Sequence, residues 1–419
     1  MVPIRTTGVV GLILLIVLVG CALFAHGRIE KCPFQCKCSA AGVICSCHRQ
    51  NTLLLTAMPP NRLKLTISDC EEVQFHQNPF SELSLDLVVV QNSRYVNVKD
   101  ITFLGVRGIR RLKFANIANL TLSSLYSLKA DYFELSNVTI DSLDKSVIPG
   151  VAEFKEVRIV DSRIGVITKG ALHFEHDQSV DIMDTTIGYV DTEAVCIDQV
   201  SSFTLRNCRI MELAEDAMHL LNVGKVIVSG NSIHTINDGS FLADGIQEMS
   251  ITENDFRRVA TKSFFHTQNV ARFTMSSNRF LHVDRHGILL HLQVEEPSVI
   301  IENNEFFCDC DLFWLYQEYG YHKYAKFLNS TCHGPDKLAG LTLSSVTPLV
   351  SSQDECLRLE SIDDRSTAVG NEGVLQTVIQ MDDYELYEDS SASATGLSSL
   401  THAILAAATP LLFLLILQK

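Results

Sequence analysis

The stretch VIVSGNSIHTI, residues 226–236, is one line of a repeat, for MSITENDFRRV (249–259), FTMSSNRFLHV (273–283) and VIIENNEF (299–306) align beneath it. In each, apolar residues stand two apart, as Val226 and Val228 or Phe273 and Met275, and an asparagine follows three positions later. That slot holds Asn231, Asn254, Asn278 and Asn304. Reading backward, it falls at Cys208, Thr185, Ser162, Val138, Ile117, Ser93 and Ser68, with steps of 21 to 26 residues. Apolar residues at alternate positions mark a short strand with one buried face. A further pair, such as Ile233 and Ile236, turns the chain back over the same core. One unit cannot bury its apolar face alone, so the units stack into a solenoid. Inside such a stack an asparagine amide serves backbone groups that no sheet ladder reaches. A hydroxyl at the same slot reaches fewer partners, and Ile117 and Val138 reach none.

Outside the repeat, residues 1–27 have the layout of a secretory signal peptide: Arg5, an apolar run over 9–24, then Ala25, His26 and Gly27. The far end, SSASATGLSSLTHAILAAATPLLFLLILQK, combines small residues, a polar spacer and an apolar tail over 403–419. Those are the ingredients of a glycosylphosphatidylinositol (GPI) anchor signal, with Ser391 or Ser393 as attachment sites. A short single-pass helix and a secreted form are the alternatives. Twelve cysteines follow Cys21, an even count that favours disulfides in a secreted chain. Sequons at Asn119, Asn137 and Asn329 agree with that route. A formal net charge of −15 argues against nucleic acid as partner. FFCDCDLFWLYQEYG, residues 306–320, could hold a metal or a staple; thiolate zinc sites need a reducing compartment, so disulfides are expected.

The repeat resembles the extracellular leucine-rich repeat, L-x-x-L-x-L-x-x-N-x-L-x-x-L, over roughly residues 60 to 306. The resemblance implies an α/β horseshoe of about ten to eleven repeats over 61–306. In that fold a parallel sheet lines the concave face and there is little regular helix. CPFQCKCSAAGVICSC resembles the family's N-terminal cap (28–60), which implies bridges Cys32–Cys38 and Cys36–Cys45. CDCDLFWL resembles its C-terminal cap (307–357), which implies Cys308–Cys332 and Cys310–Cys356, with Leu312, Trp314 and Leu315 packed on the stack. Cys47, Cys70, Cys196 and Cys208 depart from the pattern: Cys47–Cys70 would tie the cap to the first repeat, and Cys196 and Cys208 would pair or stay free. Beyond the second cap, 358–402 reads as an acidic stalk.

On the implied concave face stand Arg206, Asn207, Ser229, Thr252, Glu253, Thr274, Ser276 and Ser277. The chain is similar to GPI-anchored leucine-rich repeat proteins of the connectin-like and chaoptin-like kind. That similarity implies a non-enzymatic adhesion molecule or co-receptor for an extracellular or cell-surface protein, held to the membrane by a lipid anchor. No cofactor, metal or catalytic set is expected: HFEH at 173–176 lacks the i, i+4 spacing of a zinc-protease helix. A secreted matrix protein is one alternative. The other is a parallel β-helix that acts on polysaccharides, with Asp161, Asp181, Asp184 and Asp191 as its carboxylates.

Overall fold

The computed structural model describes residues 32–48, 51–60, 62–126, 128–288, 298–312, 314–315 and 325–346, with the backbone alone for 264–268 and 325. The expected signal peptide, acidic stalk and anchor signal, with Ser391, Ser393 and Cys356, lie outside the described residues.

Each full coil carries three strands. In one coil these are Glu248–Thr252, Asp255–Val259 and Phe264–Gln268, after which Arg272–Ser276 begins the next coil. Call the three sides faces A, B and C. On every face a strand pairs in parallel with its equivalent one coil away, as Met249 with Phe273, Phe256 with Phe280 and Ala243 with Thr267. Strands alternate buried and outward residues, so Val226, Val228, Ile233 and Ile236 all point into one shared core. The aromatic members stack along the axis: Phe256 on Phe280 at 5.0 Å, and Phe280 on Phe306 at 4.8 Å between centroids.

The corners explain the coil. A left-handed residue sits at each one: Glu253 between A and B, Lys262 between B and C, Asn269 between C and A. At the A–B corner this position is mostly Asn, Asp or Gly, as in Asp161, Asp184, Asn207 and Gly230, the residues that tolerate positive φ best. The buried slot follows directly. Asn254 Nδ2 donates to Val228 O at 2.9 Å and to Asn278 Oδ1 at 2.9 Å, while its own Oδ1 accepts from Asn231 N at 2.9 Å. Asn278 and Asn304 continue the same pattern.

In the early coils the ladder is thinner. Ser162 Oγ accepts from Val138 N at 3.2 Å, but Ile117 and Val138 have no polar side-chain atom to offer. There the amides stand one position earlier and outside. Asn137 Nδ2 donates to Asn116 Oδ1, and Asn116 Nδ2 to Asn92 Oδ1, each at 2.9 Å. Faces A and B run together in these coils as the 15-residue strands Ser84–Val98, Gly108–Leu122 and Lys129–Leu143. One repeat assignment changes: Ser68 lies inside the strand Lys64–Ser68, and Cys70 takes the slot after left-handed Asp69.

The chain is therefore a parallel β-solenoid with almost no helix among its described residues, and not a leucine-rich repeat horseshoe. A horseshoe has one strand per repeat and one concave sheet; here three sheets close around the core. Four bridges join Cys32 to Cys38, Cys36 to Cys45, Cys47 to Cys70 and Cys308 to Cys332, and Cys310 is also disulfide-bonded. Cys196 and Cys208 are free. Leu312, Trp314 and Leu315 are buried at the C-terminal end, as the cap motif implied.

Candidate functional site

Face C acquires regular strands only at Leu172–Glu175. Just there, at the corner between faces C and A, a cleft of about 610 Å³ opens. One wall is formed by the first residues of the face A strands, including Arg110, Lys129 and Glu153; the other is the segment Glu175, His176 and Asp177. A second hollow of about 590 Å³ adjoins it over face A and shares Arg110, Asp131 and Lys155.

Asp177 is the unusual member. At one register position of every coil, near the start of face A, the chain inserts an apolar residue into the core: Leu85, Ile109, Ala130 and Phe154 as second residues of the early strands, and Val200, Val223, Ile246 and Val270 two residues before the later ones. Asp177 occupies that column and is 2% exposed. Its Oδ1 accepts a hydrogen bond from Phe154 N at 2.7 Å, whereas Oδ2 is buried without a partner among the described residues. Burial pushes its pKa up to about 7; the Phe154 N–H and His176 oppose the shift, and Glu153 adds to it. At neutral pH this carboxyl is divided between its acid and its anion, the condition a general acid requires.

Ion pairs between successive coils rib the cleft wall: Lys129 to Glu153 at 2.6 Å and Lys155 to Asp131 at 2.7 Å. On the adjoining part of face A, Glu134 takes Lys113 Nζ at 2.8 Å and Tyr132 Oη at 2.5 Å. Burial alone would raise the Glu134 pKa, but the Lys113 and Tyr132 hydrogen bonds outweigh it and hold the group ionised. Burial and Glu134 together raise Tyr132, which stays a neutral phenol.

The sequence-based carboxylates are not gathered into one site. Asp161 and Asp184 are left-handed corner residues of successive coils, and Asp184 Oδ1 accepts from Asn207 Nδ2 at 3.1 Å. Asp181 points outward from face A, on the strand beside Arg158. Asp191 closes a turn on another corner, accepting from Lys169 N and Thr192 N. Asp177 escaped notice although its signal is legible: a single acid in a column of nine otherwise apolar residues. The expected recognition residues lie on a ridge instead of a concavity. Arg206, Ser229, Thr252 and Ser276 end face A strands, Thr274 points outward within one, and Asn207, Glu253 and Ser277 form the corner. Of the sequons, Asn137 and Asn329 are exposed, and Asn119, half-buried, donates Nδ2 to Asp141 Oδ2 at 3.2 Å.

No curated protein sequence matches this chain. The family model of the right-handed beta helix region matches residues 170–334, the span that begins with the first regular face C strand and contains the whole asparagine ladder.

Proposed function

We propose that this chain is an extracellular β-helix protein that binds a saccharide chain along the cleft between faces C and A and acts on it through Asp177. The carrying observation is the buried, half-protonated carboxyl of Asp177 set into an otherwise apolar column at the cleft. The likeness of residues 170–334 to right-handed β-helix proteins, which often act on polysaccharides, supports the same reading by analogy. The disulfides favour an oxidising compartment, where such polymers are found. In this reading the Asp177 carboxyl, buried in this structure, turns out into the cleft when substrate binds and, protonated, gives its proton to the glycosidic oxygen as the bond to the anomeric carbon breaks. Glu153 takes a proton from the water that adds to that carbon. Arg110, shared by both hollows, positions the chain.

The test is release of reducing ends from neutral, uronate-containing and amino-sugar polysaccharides, together with glycan-array binding. Turnover on one class is expected, reduced by ~10²-fold or more in Asp177→Asn with binding retained. Absence of both turnover and binding across all three classes would remove the reading.

A further inference from the structure

The two aspartates of the C-D-C-D motif lie outside the cleft and outside the staple. Asp309 and Asp311 follow the face B strand Glu305–Phe307 and meet His282 from the preceding coil. Ligand atoms of the three side chains all lie within 4.8 Å of one another, and among the described residues no other three His, Cys, Asp or Glu side chains converge this closely.

The imidazole is already oriented. Asp284 Oδ1 lies 3.0 Å from His282 Nε2 and accepts a hydrogen bond from its N–H, which leaves Nδ1 with its lone pair free for a metal. Such a carboxylate behind a histidine is the usual support of a metal-bound imidazole. Nδ1 faces Asp309 Oδ2 at 3.6 Å, too long for a hydrogen bond. It matches the edge of a coordination shell with bonds of ~2.1 Å, about 3.4 Å. Asp311 Oδ2 stands 3.9 Å from the same ring, at Nε2.

The carboxylates cannot simply drift apart. Cys308 is bonded to Cys332, Cys310 is also disulfide-bonded, and Asp309 Oδ1 accepts from Leu312 N at 3.2 Å. Arg258 approaches only the outer oxygen of Asp284, at 3.8 Å. Three acids are thus held around one imidazole.

We propose that His282, Asp309 and Asp311 bind a divalent transition-metal ion, Zn²⁺ by the chemistry of one imidazole and two carboxylates, with Asp284 positioning the imidazole. The ion would clip the C-terminal cap to the last coils, and the site is independent of the saccharide cleft. The experiment uses the full chain in calorimetry with ZnCl₂ and, separately, CaCl₂, plus metal analysis after dialysis. One Zn²⁺ per chain with a micromolar or tighter Kd is expected, weakened at least ~10-fold in both His282→Gln and Asp309→Asn and unchanged in Asp177→Asn. Calcium should not compete at a hundredfold excess, because an imidazole nitrogen is a poor ligand for it. Substoichiometric zinc, binding unaltered by His282→Gln, or equal affinity for calcium would each overturn the proposal. If Asp309→Asn does not fold, the surface variant His282→Gln decides alone.

Discussion

At Asp177 the interests of stability and chemistry diverge. Its carboxyl titrates near 7 in the folded chain and near 3.8 when exposed, so the folded state holds the proton more tightly. The native state is therefore penalised progressively as pH rises from about 4 to 7, and constantly above that. Asp177→Asn should leave stability unchanged at pH 4 and raise it at pH 8 by a few kcal/mol, with ~4 as the ceiling for a shift of about three units. Urea unfolding at the two pH values measures the difference. An equal effect at both would show that Asp177 does not titrate in this way. The same substitution is expected to reduce turnover by ~10²-fold or more, so one residue would link a gain in stability to a loss of activity.

At the level of the corner element, the amide ladder works because each asparagine serves a backbone group in one coil and an amide in the next. Removing Asn254 would leave Asn231 N and Val228 O buried without their partners. Asn254→Ala should cost about 2–4 kcal/mol, read as a lowered urea midpoint. The ladder ends at Cys208, whose N–H is already accepted by Asn231 Oδ1 at 2.8 Å. Cys208 Sγ lies 3.5 Å from Ile182 O, the carbonyl equivalent to the one each asparagine amide meets. Cys208→Asn should therefore extend the ladder by one coil and stabilise the chain by ~0.5–1.5 kcal/mol. A destabilised variant would mean that the neighbouring Thr185 and Ser162 leave no room for a second amide.

At the scale of the whole solenoid, each coil touches only its neighbours, so opening is local and begins where the stack ends. The disulfides are placed there: three hold the first coils, and Cys308–Cys332 holds the last. The free thiols report on the middle. Burial raises the pKa of both, Cys208 to about 11, and Cys208 lies in the core while Cys196 is half-buried on face C. Alkylation under native conditions should label Cys196 first, with Cys208 protected by at least ~10²-fold until reductant frees the caps. Mass spectrometry of timed samples reads both sites. Equal labelling from the start would contradict a stack that opens from its ends.

The period, the buried asparagine slot and the strand pattern were legible in the chain, because each rests on local alternation or on fixed spacing, whereas the bridges Cys32–Cys38, Cys36–Cys45 and Cys308–Cys332 were implied only by the family resemblance. The choice of solenoid was not. A coil near 23 residues with a buried asparagine suits both a horseshoe and a β-helix, and any open stack needs capped ends, so the cysteine caps could not decide between them. The discriminating signal was the third strand. Leu172 and Phe174, Val195 and Ile197, Met218 and Leu220, and Phe241 and Ala243 repeat in step on face C, where a horseshoe has its convex return. These pairs are too short to be read as strands alone, and only pairing with neighbours one coil away shows that they form a sheet. The site followed the same rule. Asp177 comes to lie at the cleft that Glu153 and Arg110 also line because stacking brings together residues one or more coils apart in sequence, and its raised pKa is a property of that burial, which no local pattern carries.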